Sequence, residues 1–475
     1  MQLPIVEPAP IVSKHAHPFR GLFNDERQYQ HFQNYLTGLI VLENKTLANI
    51  SRCILDSPDA SNLSRFMSLS PWQAGEMNDK RLQYLLQQTE AHRVRAVDSS
   101  LIIDDTLCEH VGSLFEYVAR HYNHSNDSYP LGHNLVTSHY LSGAVRFPLA
   151  LHLYRRYEEV TRWEEFVTAH FPALTIPKKK KARQKLHKQV DETLLKVPEF
   201  KQLHDQFETK IALAIELVEH ALKHQLPFRT VLMDSWYLCE QLVSLLTKHE
   251  LDWVSLLKSN RNLEVNSFSL RDREGKPIKL EGPHIKVEDL IPLIPATAFK
   301  PIPLKDKTYY CFSLNARVPS LGKVRIVISF ENPQLTGSYA ILITNRRNWS
   351  AKKILLKYLQ RWPIETFYQD SKGHLGLDKY RMRTAKAIQN HWYLVFVAYS
   401  ILHLACLPPS LIVGKDKPSA RPIKTIGEVC RQQSQSLIES LILFAHDLLQ
   451  QGNEATEVFS RLFAKQHKEV IPNHS

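Results

Sequence analysis

A lone glutamate, Glu365, stands in the stretch YLQRWPIETFYQDSK (residues 358–372) among Tyr358, Arg361 and Lys372. On a helix at about 100° per residue, offsets of 0, 3, 7 and 14 positions bring these four side chains within an arc of roughly 60°. An acid flanked by two cations and a phenol suits work on a phosphate: the cations clamp phosphate oxygens while the carboxylate holds a hard metal ion. The plainer alternative is a solvated helix face with an i,i+4 Arg and Glu pair, worth about 0.2–0.5 kcal/mol. Pro363 adds a constraint, because a helix accepts it only in the first turn. If a helix starts there, Glu365, Gln369 and Lys372 share a face, and Tyr358 and Arg361 approach from the preceding segment.

Other acids stand at the expected ends of strands. Asp104 and Asp105 close HRVRAVDSSLIIDDT, and Asp234 closes TVLMD. In an open α/β sheet the carboxyl ends of the strands line the ligand crevice. Carboxylates arriving there from separate elements hold Mg²⁺ through oxygen, and two ions about 3.5–4 Å apart serve phosphodiester cleavage.

The elements that must position these acids follow from periodicity. Residues 24–88 read as helical, with Ser70 as an N-cap before Pro71, after a loose arm of about twenty residues rich in Pro and His. Three strands follow, ending in NLVTSHYLS and VRFPLALHLY, and then helices alternate with strands: IALAIELVEHALKH, TVLMDS, WYLCEQLVSLLTKH, WVSLLKS. This order predicts an α/β mixed sheet with helices on its faces. Residues 260–337 read as an all-β insertion, YAILITN returns as a strand, and the chain is helical from about residue 386. The basic run PKKKKARQKLHK (residues 177–188) reads as a mobile solvated loop able to touch phosphate.

The balance of 60 Lys and Arg against 48 Asp and Glu, a net +12, favours a polyanionic partner, nucleic acid before a membrane surface. Six scattered cysteines without a C-x-x-C pair argue against a disulfide framework and for a reducing, cytoplasmic setting. The apolar run at residues 392–407 spans about 24 Å as a helix, short of a bilayer core, and reads as a buried helix. His110, His121, His124, His133 and His139 crowd one region but read as ordinary loop histidines, not a zinc site. Trp362, Phe367, Trp392 and Tyr393 read as core aromatics. No G-x-G-x-x-G or P-loop spacing points to a nucleotide.

The spacing Y-x2-R-x3-E-x6-K of Tyr358, Arg361, Glu365 and Lys372 resembles the signature of bacterial insertion-sequence DDE transposases, in the group with the Tyr-Arg-Glu-Lys (YREK) pattern. IIDDT is similar to that family's first acidic motif, in which the metal-binding Asp precedes Thr, and this points to Asp105. MDSWY resembles the second motif, giving Asp234, and WVSLLKSNRN resembles a strand ending in a DNA-contacting turn with Lys258 and Arg261. The resemblance covers roughly residues 90–400. It implies an α/β RNase H-like catalytic core interrupted by a β-rich insertion and flanked by helical regions. The implied organisation is 1–90 for end binding, 91–259 and 338–385 for the core, 260–337 for the insertion and 386–475 for dimerisation. Asp105, Asp234 and Glu365 would bind two Mg²⁺ ions, with Mn²⁺ as a substitute; Tyr358, Arg361 and Lys372 would hold phosphates. Tyr339 stands where some members carry a base-stacking Trp. The implied activity is Mg²⁺-dependent cleavage and strand transfer by a cytoplasmic, nucleoid-associated homodimer on double-stranded transposon ends and target DNA. A non-catalytic DNA-binding descendant and an RNase H-like nuclease are the alternatives.

Overall fold

In the computed structural model, which describes residues 3–56, 59–123, 127–305, 307–408 and 425–467, the chain opens with helices α1 (Pro10–Ala16), α2 (Glu26–Val41), α3 (Leu47–Cys53), α4 (Ala60–Ser68) and α5 (Ala74–Gln88). Side chains cap several of them, with Asp25 accepting from the Gln28 amide and Thr46 from the Asn49 amide. Helix α5 starts at Ala74 and not at Pro71. The Trp72 ring is drawn into the core, its Nε1 donating to the Phe66 carbonyl at 3.1 Å, so residues 70–73 turn instead of entering the helix. The first residues are no loose arm either. Ile5, Ile11, Val12 and Phe19 are buried, and the Ile11 amide donates to Gln433 Oε1 at 2.8 Å.

Strands β1 (Ser100–Glu109), β2 (Ala119–Arg120), β3 (Leu131–Ser142) and β4 (Val145–Tyr154) follow. Helices α6 (Tyr157–Val160), α7 (Trp163–His170), α8 (Lys180–Leu194), α9 (Pro198–His204) and α10 (Lys210–Lys223) lead to β5 (Thr230–Met233), α11 (Glu240–Lys248) and β6 (Asp252–Leu256). A small pair, β7 (Asn262–Glu264) and β8 (His284–Lys286), and helix α12 (Val287–Leu290) precede β9 (Lys300–Leu304), β10 (Lys307–Val318), β11 (Gly322–Phe330) and β12 (Tyr339–Thr344). Helices α13 (Ala351–Leu359), α14 (Pro363–Gly373), α15 (Ala385–Cys406), α16 (Ile426–Gln450) and α17 (Ala455–His467) are the last of the described elements.

Strands β4-β3-β1-β5-β6-β12-β11-β10-β9 lie side by side in one mixed sheet, with β2 paired to the start of β3. Pairing is parallel at β1–β5 and β5–β6 and antiparallel at the other joints. The β-rich stretch therefore does not stand apart: β12 pairs with β6, Leu342 opposite Leu256, and β9 to β11 extend the same sheet. The basic run is helical, not a loop, from Lys180 onward. Leu186, Val190 and Leu194 of α8 pack with Trp163, Val167 and Phe200 in a small core of their own.

Side chains alternate across a strand, and the two faces have separate cores. Ile102, Leu232 and Val254 face α14, α15 and the N-terminal helices, while Leu101, Ile103, Val231 and Met233 face α10 and α11. Helix α15 is buried along residues 387–403, and among the described residues no helix is long and apolar enough to cross a membrane. Buried Arg81 ties α5 to β4 and α15, donating to Asn78 Oδ1 (2.6 Å), the Leu149 carbonyl (2.9 Å) and Ser400 Oγ (2.9 Å).

Of the described histidines of the 110–139 cluster, His110 and His121 lie in loops as expected, while His133 and His139 stand on β3 and are buried; His124 lies outside the described residues. His110 stacks on Phe115, His133 bonds the Tyr380 hydroxyl at 2.7 Å, and His139 lies against Phe367. Burial holds His391 down to about 4 and His403 to about 3, and it holds His139 well below 6.5. His403 Nε2 accepts from the Arg146 amide at 3.0 Å, which requires that nitrogen to be unprotonated. Folded-state values below the unfolded one mean that this stability is complete above about pH 6.5 and is lost as pH falls towards the folded values. Each ring kept neutral at pH 5 then contributes a loss of about 2 kcal/mol relative to neutral pH. Thermal melts are expected to show a lower Tm at pH 5 than at 7.5, with the drop reduced in His403→Gln, which retains an acceptor.

Candidate active site

Asp104 and Asp105 lie in the middle of β1, not at its end, because β1 runs on beside β3 to Glu109. Its pairing with β5 stops earlier, at Ile102 opposite Leu232. Two residues on in the same register, Asp104 comes level with Asp234, which follows the last residue of β5. Both then share the face of Ile102 and Leu232, where α14 packs through Ile364 and Phe367. Asp105 points to the opposite face.

Helix α14 starts with Pro363 at its first position, so the signature is split between two helices. Tyr358 sits in the last turn of α13, and Arg361 lies in the connection. Arg361 Nη1 donates to Asp104 Oδ2, and Nη2 donates to Glu365 Oε1 at 2.9 Å. One guanidinium thus joins a strand carboxylate to the helix carboxylate, with Asp104 13% and Glu365 36% exposed. Asp234 Oδ1 accepts from the amides of Trp236 (2.8 Å) and Tyr237 (3.3 Å), a turn that fixes the carboxylate as the chain leaves β5.

Burial, which penalises the charged form, raises Asp104 to about 7; Arg361 opposes it, and Asp105, Asp234 and Glu365 add to it. Asp234 is also raised, by burial and by the Asp105 charge, against its amide hydrogen bonds. Burial lifts Tyr358 to about 12. Desolvation pulls Arg361 down, but Asp104, Tyr358 and Glu365 outweigh it and hold its pKa above the ordinary value. Four carboxylates gather here against Arg361 and Lys210. Uncompensated oxygen donors of this kind suit hard divalent cations, so the residues present fit Mg²⁺.

Asp105 has its own partners. It accepts from Lys210 Nζ (2.8 Å), Tyr237 Oη (2.8 Å) and Asn134 Nδ2 (3.1 Å). Lys372 Nζ donates to the Leu107 carbonyl at 2.7 Å, pinning α14 to β1. Lys258 Nζ lies 5.3 Å from the Trp236 ring centre. Arg261 turns inward, its Nη2 donating to the Leu238 carbonyl at 3.1 Å. Tyr339 begins β12 at the end of the sheet where β6 stops, and is part exposed beside Phe330.

Trp362 departs from its expected place in the core: it is 65% exposed at the start of α14, while Phe367, Trp392 and Tyr393 are buried. Trp236, two residues after Asp234, is 52% exposed. Each indole lies within three residues of an acid in the chain, Trp236 of Asp234 and Trp362 of Glu365, and sequence reasoning assigned neither to the site. Lys210, Asn134 and Tyr237 were missed as well. Only Tyr237 carried a signal, its position in MDSWY; the other two reach Asp105 from elements distant in sequence.

A family described as a transposase DDE domain matches residues 167–401. That span holds Asp234, Tyr358, Arg361, Glu365 and Lys372 and begins after Asp104 and Asp105. A probable transposase for insertion sequence element IS701 from Microchaete diplosiphon is 24% identical over 270 residues, which is 55% of this chain. The match spans 59% of that relative's length. Both findings support an insertion-sequence DDE transposase.

Proposed function

We propose that the chain is the transposase of an insertion sequence, binding terminal inverted repeats and catalysing DNA cleavage and strand transfer. The observation that carries this reading is the gathering of Asp104, Asp234 and Glu365 around Arg361 beside the carboxyl end of β5. An RNase H-like core is supported by the order β4-β3-β1-β5-β6, antiparallel across the first joints and parallel across the last two. The strands from β9 to β12 would be its insertion.

Asp234, Glu365 and one Asp of β1 would hold two Mg²⁺ ions, which supply Lewis-acid activation of an attacking oxygen and stabilise the leaving one. The shared face favours Asp104 for the β1 position; the motif before Thr106 favours Asp105. Arg361 offers a forked guanidinium suited to the scissile phosphate. Tyr358 stays protonated at neutral pH and donates a hydrogen bond to a phosphate oxygen. Lys372 keeps α14 seated on β1 and adds positive charge. Trp236 and Trp362 give stacking surfaces for bases near the cut. Lys258, Arg261 and Tyr339 would line the DNA path at the end of β6, and the basic face of α8 extends it. Helix α16 exposes Ile438, Ile442 and Leu443, which supports the C-terminal helices as the contact between two subunits on two ends.

The test is a duplex ending in the inverted repeats that flank the gene, incubated with the full chain and Mg²⁺ or Mn²⁺. Nicks at the repeat ends, followed by joining of the freed 3′-hydroxyl to a second DNA, are expected. Binding without cutting would favour a transposase-derived repressor, and cutting without joining would favour a nuclease.

A further inference from the structure

A second cluster of ligating side chains lies away from the acids. Asp79 on α5 meets His220 on α10 and His224 just past its end, and one ligand atom from each lies within 4.8 Å of the others. His224 Nε2 is 3.1 Å from Asp79 Oδ1, and the two imidazole centres are 4.4 Å apart. The i,i+4 spacing places both rings on one helix face. His220 Nδ1 is buried without a hydrogen-bond partner among the described residues, which leaves that nitrogen free to take a ligand.

We infer that Asp79, His220 and His224 form a binding site for a divalent transition-metal ion of the zinc class. Two imidazole nitrogens and a carboxylate oxygen match the donors that Zn²⁺ and Co²⁺ take, not the all-oxygen shell of Mg²⁺. Ligand atoms on a tetrahedral zinc stand about 3.3 Å apart, given bonds of about 2.0–2.1 Å. The Asp79–His224 pair already has that spacing, and a small side-chain rotation brings in His220. Asp79 is 60% exposed, which leaves an entry path and a fourth position for water.

The ion would join elements far apart in sequence. Helix α5 belongs to the N-terminal helices and is locked by Arg81, two residues from Asp79. Helix α10 carries Lys210, the partner of Asp105, in its first turn and the two histidines at its other end. Metal bound here clamps the N-terminal helices to α10 and thereby steadies Lys210 at a distance of about 15 Å along the helix.

The inference is tested on the full-length, metal-stripped chain titrated with Co²⁺ and then Zn²⁺, following the visible absorption of tetrahedral Co²⁺ and the thermal midpoint. One equivalent with an intense visible band, displaced by Zn²⁺, and a Tm raised by a few degrees are expected. The same band is expected in Asp234→Asn/Glu365→Gln, which removes acids of the proposed active site. It should vanish in His220→Ala/His224→Ala. Should that variant misfold, Asp79→Asn serves, since this largely exposed side chain can change without disturbing the core. A loss of affinity of about 10-fold or more is expected there, as even an outer-shell partner is worth that much. No band in the wild type, a band that survives loss of both histidines, or unchanged affinity in Asp79→Asn would overturn the inference.

Discussion

Asp104→Asn is expected to abolish Mg²⁺-dependent cleavage of an end-containing duplex, while Asp105→Asn retains a readily measured part of it. The two residues are neighbours on β1 and point to opposite faces. Asp104 shares its face with Asp234 and the helix of Glu365, and Arg361 bridges it to that glutamate. On the proposed assignment, removing its charge would take away a metal ligand where the reacting phosphate would sit. The loss should be on the order of 10³-fold, the upper end for one electrostatic group at a reacting centre. Asp105 instead accepts from Lys210, Tyr237 and Asn134. An Asn there still accepts from Tyr237, so the sheet geometry survives and activity should fall by about 10-fold or less, in line with loss of a supporting contact. The measurement is single-turnover nicking of both variants beside wild type. The opposite ranking would assign the ligand to the residue before Thr106, as the motif reading does.

That ambiguity shows where sequence reasoning stops. Runs of β-branched residues revealed the strands and their order, because alternation is local. Pro363 revealed the start of α14, because its ring leaves few places to stand. That Asp104 comes level with Asp234 depends on the register of β1 against β5, a contact between segments more than a hundred residues apart. The small core of Trp163, Leu186, Val190 and Phe200 was hidden for another reason. Its apolar residues sit at helical spacing inside a lysine-rich run, whose charge reads as solvated loop. Trp362 misleads in the opposite direction: a large aromatic beside a core helix is usually buried, yet here the turn at its start points the ring outward. The histidines at 220 and 224 carried a visible H-x3-H spacing, but their third partner, Asp79, comes from a helix some 140 positions earlier.

Glu365→Gln separates catalysis from DNA binding. Glu365 accepts from Arg361 at 2.9 Å, and a Gln oxygen can still take that hydrogen bond. As a surface ion pair alone, the contact contributes a few tenths of a kcal/mol, so stability should barely change. A metal ligand behaves differently. Gln keeps the size but removes the negative charge, so cleavage and strand transfer should fall together by about 10³-fold while the repeat ends remain bound. Binding should tighten slightly, since one negative charge next to the DNA phosphates has gone and Arg361 is less tightly held. End binding by gel shift and Mg²⁺-dependent nicking, measured side by side on wild type and Glu365→Gln, provide the readout. Near wild-type nicking in the variant would leave Glu365 as Arg361's partner only and remove the helix carboxylate from the catalytic set.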